Sequence, residues 1–356
     1  MNIAFCTLFD RQYLSRGLTM IRSLRRQMPA PAPAVFALCL DDVSFQCLSQ
    51  LGEPGLRPIA ISTLEAADPE LPRARRNRSH GEYCFTLSPC LPLHLLDSGR
   101  FDAVVSLDAD IFFLSDPTPL LRQLEQKPIF ITRHAFTQPM RKVGLQTGSF
   151  NVSFQGFRND AIGRACLNQW RRQCLEWCFH RVDEENNRYA DQRYLDSWPN
   201  DFPDQITVLE PPVAGLAPWN LRDFPLAVVD GHLNSTGLRP VFYHFHGLHF
   251  LGQRRVANSL WRYHAAADSV ATLHLYAPYL RELIETEASC ARATGTLTAV
   301  LRDTLFARWQ AQTYFEASGD SFRPVDLSQL HPLQQAWRLL KQTHLPLSRQ
   351  KAVRVR

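Results

Sequence analysis

The stretch from Phe101 to Pro117, FDAVVSLDADIFFLSDP, constrains the fold more than any other part of the sequence. Residues 103–107 form a short, nearly continuous apolar run, which is typical of a strand buried on both faces of a parallel sheet. The run ends at Asp108, and Asp110 follows after one alanine. If the extended backbone continues, both carboxylates point to the same side, beyond the carboxyl end of the strand. Open α/β sheets bind ligands at that edge, so we predict an α/β protein with a site there.

Asp108 and Asp110 also predict a metal ion. Two carboxylates at one strand end repel each other unless a cation lies between them, and hard oxygen ligands select Mg²⁺ or Mn²⁺. The alternative is a strand end with solvated or capping aspartates. The apolar residues 111–114 favour the metal site, because two hydrophobic runs would not bracket a solvated acidic turn.

Length and composition are ordinary for a globular protein. The 356 residues suffice for one large α/β domain or for a domain with appendages. The N-terminus, MNIAFCTLFDRQYL, reads as a first strand rather than as a signal peptide, and no window is long enough to span a bilayer. The nine cysteines include no Cys-x-x-Cys pair, so we expect reduced, buried thiols in a cytoplasmic protein rather than a zinc site.

The C-terminal residues 333–356 carry the excess positive charge of the chain, whose formal net charge is +5. This basic tail contains arginines and lysines interleaved with apolar residues and has no acidic residue. It suits peripheral contact with an anionic membrane, at the inner face of the cytoplasmic membrane. The alternative is a solvated, frayed terminus. We expect no binding to nucleic acid, because no recognised motif accompanies the charge.

The hydrophobic pattern predicts a βαβ opening, with strands at 2–8 and 35–40 around a helix at 14–28. We further predict helices over 83–96, restarted at a proline, over 160–178, with Asp160 as its N-terminal cap, and from 189 to 198. Strands are predicted at 149–157, 206–209, 226–229 and 241–246, and the pattern is helical from Val256 onward. Four arginines within 73–78 either bind phosphates or keep a surface loop soluble.

Four motifs in this order resemble the GT-A glycosyltransferases of family 8, the family of the bacterial lipooligosaccharide α-1,4-galactosyltransferase. The sequence LDAD at 107–110 is similar to their metal-binding Asp-x-Asp, and FNVSF at 150–154 to a strand that faces the sugars. ADQ at 190–192 resembles their Asp-Gln pair near the sugar anomeric carbon. HFHG at 244–247 resembles the His-x-x-Gly whose histidine completes the metal site.

The resemblance implies a GT-A fold, a Rossmann-like mixed sheet flanked by helices, with a C-terminal helical extension. The implied units are a catalytic domain at 1–265, the extension at 266–332 and the basic tail at 333–356. The resemblance also implies Mn²⁺ or Mg²⁺ as cofactor, a nucleotide-sugar donor, a UDP-sugar by default, and a saccharide or glycolipid acceptor. The implied reaction is sugar transfer, with retention of configuration, in bacterial surface-polysaccharide or lipopolysaccharide assembly.

Individual residues receive roles through the same resemblance. The implied metal ligands are Asp108, Asp110 and His244, with His246 as the rival histidine. The implied catalytic residues are Asp191 and Gln192, and the implied donor-binding residues are Thr7, Asp10, Asp108 and Asn151. Without the resemblance, Asp191 is equally a residue that favours a helix dipole, Asp10 a loop cap, and Asn151 a partner of a neighbouring strand.

Three departures bear on the donor. Leu8 and Phe9 stand where the family has an acidic pair, and no Lys-Pro-Trp follows Gly247. The arginine that the family places on the helix before the Asp-x-Asp strand is missing within 83–96, and one of the arginines at 73–78 is a candidate substitute. Two other functions compete with sugar transfer. A nucleotidyltransferase is disfavoured by a first loop without glycine, and a catalytically silent sugar-binding protein by the retained aspartates and histidine.

Overall fold

The computed structural model describes residues 1–252, 255–295, 313–318 and 321–326. The main sheet has seven strands in the spatial order β3-β2-β1-β4-β7-β6-β8. Their bounds are β1 Ile3–Phe9, β2 Val35–Cys39, β3 Leu56–Ala60, β4 Ala103–Leu107, β6 Ile129–Arg133, β7 Phe150–Arg158 and β8 Ile206–Leu209. Strands β1 to β4 are parallel to one another, β6 is parallel to β8, and β7 is antiparallel to both of its neighbours.

Helices cover both faces of this sheet, which confirms the mixed α/β class that the sequence predicts. They are α1 Leu14–Gln27, α2 Asp42–Leu51, α3 Ile61–Ala67, α4 Leu71–Arg75, α5 His80–Leu87, α6 Cys90–Asp97, α7 Thr118–Leu121, α8 Gln123–Gln126, α9 Arg141–Thr147, α10 Ala161–Glu176, α11 Trp198–Asp201 and α12 Ala277–Thr294. Strand β1 shows how the layers form: Phe5 packs with α1 and α2 on one face, whereas Ala4 and Cys6 pack with α5, α6 and α10 on the other. The alternation of side chains along a strand separates the two cores.

A short pair of strands lies next to the main sheet and is important for the site. Strand β5 (Ile111–Phe113) pairs antiparallel with β11 (Phe242–His244). A third apolar cluster, which includes Phe112, Tyr243 and Tyr279, joins this pair to α12. Helix α12 therefore shares a core with the strands that carry the metal-ligand candidates, and its Cys290 also packs in the core around α1 and α2.

The remaining strands form a hairpin and a small sheet. The hairpin is β9 (Leu226–Val229) with β10 (His232–Ser235). The small sheet has the order β12-β13-β14-β15, with β12 at His249–Gly252, β13 at Arg255–Ala257, β14 at Thr313–Ser318 and β15 at Ser321–Asp326. Strands β13, β14 and β15 contradict the helical pattern predicted from Val256 onward. The division into three units stays a prediction, and the basic tail at 333–356 lies outside the described residues.

One predicted helix has the break that the sequence indicates, and another is shorter. The segment 83–96 forms α5 and α6, separated at Ser88 and Pro89, as expected for a helix restarted at a proline, which cannot continue the hydrogen-bonding pattern of the first helix. The predicted helix at 189–198 is a 3₁₀-helix, Gln192–Ser197, followed by α11. Strands β8 and β9 have the predicted bounds. In the described part of the chain, no helix has the length and apolar character needed to cross a membrane.

Candidate active site

The two aspartates of the LDAD motif lie at the carboxyl edge of the main sheet. Strand β4 ends at Leu107, and the backbone N–H of Asp108 donates to the carbonyl of Ser153 on β7 at 2.9 Å. The extended pairing therefore continues one residue past the strand and fixes the backbone of Asp108. Asp110 immediately precedes β5 and is 8% exposed.

Strand pairing brings His244 to these aspartates. In the β5–β11 pair, His244 lies opposite Ile111, and the N–H of Phe245 donates to the carbonyl of Asp110 at 2.8 Å. His244 Nε2 consequently lies 2.9 Å from Asp110 Oδ1 and 3.8 Å from Asp108 Oδ2. His244 Nε2 therefore lies within 4 Å of a carboxylate oxygen of each predicted aspartate ligand.

Charge and burial shape the titration of this group. Burial acts to raise the pKa of Asp110, but the His244 imidazole outweighs it and holds the pKa of Asp110 at about 2. Burial also acts to lower the pKa of His244, and Asp110 reverses this, so the pKa of His244 is raised. For Asp108, enclosure and the charge of Asp110 raise the pKa, although His244 opposes them.

The donor atoms suit a divalent cation. One ligand atom each from Asp110, His244 and His246 lie within 4.8 Å of one another, a spacing that two ligands of one ion can span. Asp108 adds a carboxylate oxygen on the His244 side. Carboxylate oxygens with one or two imidazole nitrogens fit Mn²⁺, and mainly oxygen ligands fit Mg²⁺. Both histidines remain candidates, and His244 is the more enclosed, at 3% exposure.

A cavity of about 470 Å³ opens beside this group. That size is sufficient for a small-molecule ligand. Seven of the candidate site residues from the sequence line it: Thr7, Asp108, Asn151, Asp191, Gln192, His244 and the rival His246. They come from five separate segments of the chain.

Thr7 and Asp10, at the end of β1, behave differently. Thr7 is 2% exposed and lines the cavity, and its hydroxyl has no hydrogen-bond partner among the residues described. Asp10 instead accepts from the backbone N–H of Gln12 at 2.8 Å and contacts His80 Nε2 at 2.9 Å. Asp10 therefore caps its own loop, which is the alternative that the sequence left open, and its role toward a donor stays a prediction.

Asn151 is fixed by a small network. Its amide nitrogen donates to His134 Nε2 at 3.1 Å, and its oxygen accepts from the N–H of Ser153 at 2.9 Å. His134 Nδ1 then donates to the carbonyl of Gly148 at 3.1 Å. Burial lowers the pKa of His134 to about 3, so the neutral imidazole keeps this arrangement.

Asp191 and Gln192 lie together in the lining of the cavity, at the start of the 3₁₀-helix. The Asp191 carboxylate accepts a hydrogen bond from the Ser88 hydroxyl at 2.7 Å. The Gln192 amide nitrogen donates to the carbonyl of Thr147 at 2.7 Å. Burial raises the pKa of Asp191 to about 7, the Ser88 hydrogen bond lowers it, and the charge of Asp108 raises it further.

Several lining residues were missed by sequence reasoning. Trp219 is 4% exposed, and its indole contacts the rings of His134, His244, His246 and Tyr263. Trp219 lies in a loop without local periodicity, so no sequence pattern pointed to it. His134 is also part of the lining, and its only sequence signal is that it is a polar residue directly after β6.

The arginines at 73–78 do not supply the missing cavity arginine. Arg78 donates to the carbonyls of Cys174 and Leu175, and Arg75 pairs with Glu65. No lysine or arginine of the described ranges lines the cavity. Arg78 therefore stabilises the packing against α10, and Arg75 forms an ion pair with Glu65.

Comparison with solved structures finds proteins named as glycosyltransferases. Mouse xyloside xylosyltransferase 1 has a TM-score of 0.43 and 13% identity, over 69% of this chain and 98% of that one. The galactosyltransferase LgtC, in complex with donor and acceptor sugar analogues, has a TM-score of 0.45 and 14% identity, over 86% and 99%. GlyE of Streptococcus pneumoniae TIGR4 has a TM-score of 0.43 and 16% identity, over 81% of this chain but 62% of GlyE.

Comparison with curated sequences finds two relatives in Bacillus subtilis (strain 168). The uncharacterized protein YfnD is 29% identical over 282 residues, 78% of this chain and 88% of YfnD. The uncharacterized protein YfnF is 28% identical over 255 residues, 69% of this chain and 82% of YfnF. No protein-family model matches the chain. At these levels of similarity, the function has to be argued from the site.

Proposed function

We propose that this protein is a metal-dependent glycosyltransferase of the GT-A type, which moves a sugar from a nucleotide-sugar to a saccharide or lipid-linked acceptor. The observation that carries the proposal is the convergence of Asp108, Asp110 and His244 at the edge of a cavity that also contains Asp191 and Gln192. These residues belong to three separate motifs of the sequence, LDAD, ADQ and HFHG, which lie close together in the fold.

The charge of the cavity supports a divalent cation in the reaction. Its lining contains the carboxylates of Asp108 and Asp191 and, among described residues, no lysine or arginine. A nucleoside diphosphate would find the carboxylates of Asp108 and Asp191 there and no lysine or arginine side chain of the described residues. Mn²⁺ or Mg²⁺, held by Asp108, Asp110 and His244 with His246 as a further candidate, would supply Lewis-acid stabilisation of the leaving diphosphate.

The residues of the chain have separate tasks in this proposal. Thr7, whose hydroxyl has no hydrogen-bond partner in the described part of the chain, offers a hydrogen bond to the donor at the end of β1. Asn151, held by His134, presents a fixed polar group to a sugar hydroxyl. Gln192 is fixed by Thr147, and with Asp191 it offers oxygens to the positive charge that develops at the anomeric carbon.

The finer points follow the resemblance of the motifs. They are a UDP-sugar donor, retention of configuration, a role in bacterial surface-polysaccharide assembly, and a cytoplasmic protein whose tail contacts an anionic membrane. The polar and aromatic lining of the cavity is suited to saccharides, whose hydroxyls need hydrogen bonds and whose carbon faces pack on rings.

The test is release of nucleoside diphosphate from a panel of nucleotide-sugars, with and without Mn²⁺. We expect release from at least one donor in Mn²⁺ and none in EDTA. Pyrophosphate chemistry would instead identify a nucleotidyltransferase, and binding of sugars without turnover would identify a silent binding protein. Turnover that persists unchanged in EDTA would reject the metal-dependent proposal.

A further inference from the structure

Asp191 has an unusual environment for a carboxylate. It is 2% exposed, and no arginine or lysine in the described part of the chain forms an ion pair with it. The titratable groups that interact with it are Asp108 directly after β4, Cys84 from α5, Cys174 from α10 and Tyr189 beside it. The cavity that it lines also contains His134, His180, His244 and His246. A buried carboxylate without a cation opposes folding, so stability does not explain its presence.

The backbone at Asp191 is held in place by other groups. Ala190, directly before it, has a φ of +46°, a left-handed conformation that costs a non-glycine residue energy. The N–H of Ala190 donates to the carbonyl of Phe179 at 3.1 Å, and the Trp170 indole donates to the carbonyl of Asp191 at 2.8 Å. Trp170 is fully buried in α10. The core thus fixes Asp191 in a strained segment at the cavity wall.

The carboxylate of Asp191 is held by the Ser88 hydroxyl together with the backbone N–H groups of Asp191 and Gln192. The Ser88 hydroxyl donates to Asp191 Oδ2 at 2.7 Å, and both residues line the cavity. Ser88 is the residue at which α5 ends, immediately before Pro89 and α6. The break between these helices therefore places a hydroxyl, rather than a buried apolar side chain, against Asp191.

We propose that Ser88 is a positioning residue for sugar transfer, because its hydroxyl holds the Asp191 carboxylate in the orientation that the transferred sugar meets. This inference rests on the proposed function. Burial raises the pKa of Asp191 to about 7, and the Ser88 hydrogen bond opposes that rise. Without the hydroxyl, the carboxyl group would be both less fixed and more protonated at neutral pH.

The experiment compares Ser88→Ala, Ser88→Thr and Ser98→Ala in the full-length protein. Ser98 ends α6 as Ser88 ends α5, but its hydroxyl donates to Leu95 and it is exposed, so it is a matched control. The carboxyl signal of Asp191 is followed by ¹³C NMR against pH without added metal, and it is assigned with Asp191→Asn. Steady-state kcat and donor KM are measured on the same variants in Mn²⁺.

We expect Ser88→Ala to raise the pKa of Asp191 by about one unit and to lower kcat about tenfold with little change in donor KM. Ser88→Thr should restore both values, and Ser98→Ala should match the wild type. An unchanged Asp191 signal and kcat in Ser88→Ala would overturn the inference, as would a lower unfolding temperature with no other effect. A shifted Asp191 signal in a protein that transfers no sugar would uphold the contact and reject the proposed function.

Discussion

His244 Nε2 lies 2.9 Å from Asp110 Oδ1, although the two residues belong to distant parts of the sequence. The antiparallel pairing of β5 with β11 creates this contact, because His244 lies opposite Ile111, the residue after Asp110. Both sides of the pair are anchored in apolar cores, through Phe113 and Phe242 in one and Phe112 and Tyr243 in another. The candidate metal site is therefore as rigid as the strands that carry it.

Replacement of Asp110 by alanine should abolish turnover. The variant loses a carboxylate that is 2.9 Å from the His244 imidazole, and we expect kcat to fall more than about a hundredfold, since loss of outer-shell partners alone reaches that size. Asp116→Asn is the control. Asp116 lies after β5, as Asp110 lies before it, but it is exposed and its carboxylate accepts from the N–H of Thr118. Wild-type turnover by Asp110→Ala, measured as nucleoside diphosphate release, would contradict the metal role.

Separate replacement of His244 and His246 should identify the imidazole ligand. His244 is 3% exposed, and its Nε2 lies within 4 Å of both aspartates. His246 is exposed, and its ligand atom lies within 4.8 Å of those of Asp110 and His244. We expect His244→Ala to weaken Mn²⁺ binding at least about tenfold and His246→Ala to weaken it less. Titration of Mn²⁺ followed by electron paramagnetic resonance measures both. The reverse order would assign the ligand to His246.

Asp191 should make stability depend on pH. Its pKa rises from an ordinary 3.8 to about 7, so the folded state favours the protonated form. This contribution to stability is fully present below about pH 3.8 and is lost as the pH rises through about 7.

Asp191→Asn removes that titration. The difference in free energy of unfolding, variant minus wild type, should increase between about pH 4 and about pH 8 by as much as about 4 kcal/mol. The wild type loses stability over this range, and each pKa unit is worth about 1.4 kcal/mol. Urea unfolding at both pH values measures the difference. Asp204→Asn is the control, since Asp204 is exposed and its φ of +62° suits asparagine. A difference that is equal at both pH values would disprove the burial argument.

The start of α10 tests the fold apart from the site. Asp160 Oδ1 accepts from the N–H groups of Ile162 at 3.0 Å and Gly163 at 2.8 Å, as the predicted cap requires. Asp160→Ala should lower the free energy of unfolding by about 1 kcal/mol, whereas Asp160→Asn, which keeps the capping oxygen, should lower it much less. Equal losses in the two variants would show that the ion pair with Arg158, and not the cap, stabilises this end.

The sequence by itself determined the features that depend on near neighbours along the chain. The buried run before Asp108, the cap at Asp160 and the strand Ile206–Leu209 follow from local patterns of apolar and polar residues, and the structure has them where they were predicted. The small sheet formed by β12 to β15 was missed, because the pairing of short strands depends on distant partners rather than on their own periodicity.

Only the tertiary structure decided which of these features meet. Sequence motifs identified Asp191 and His244. Ser88, His134 and Trp219 became part of the site only in the fold: Ser88 at the break between α5 and α6, His134 after β6 at the sheet edge, and Trp219 in a loop. A contact between distant segments is set by how whole layers pack, and no local pattern records it. The chain therefore carries its candidate ligands in its sequence, and packing determines their distances.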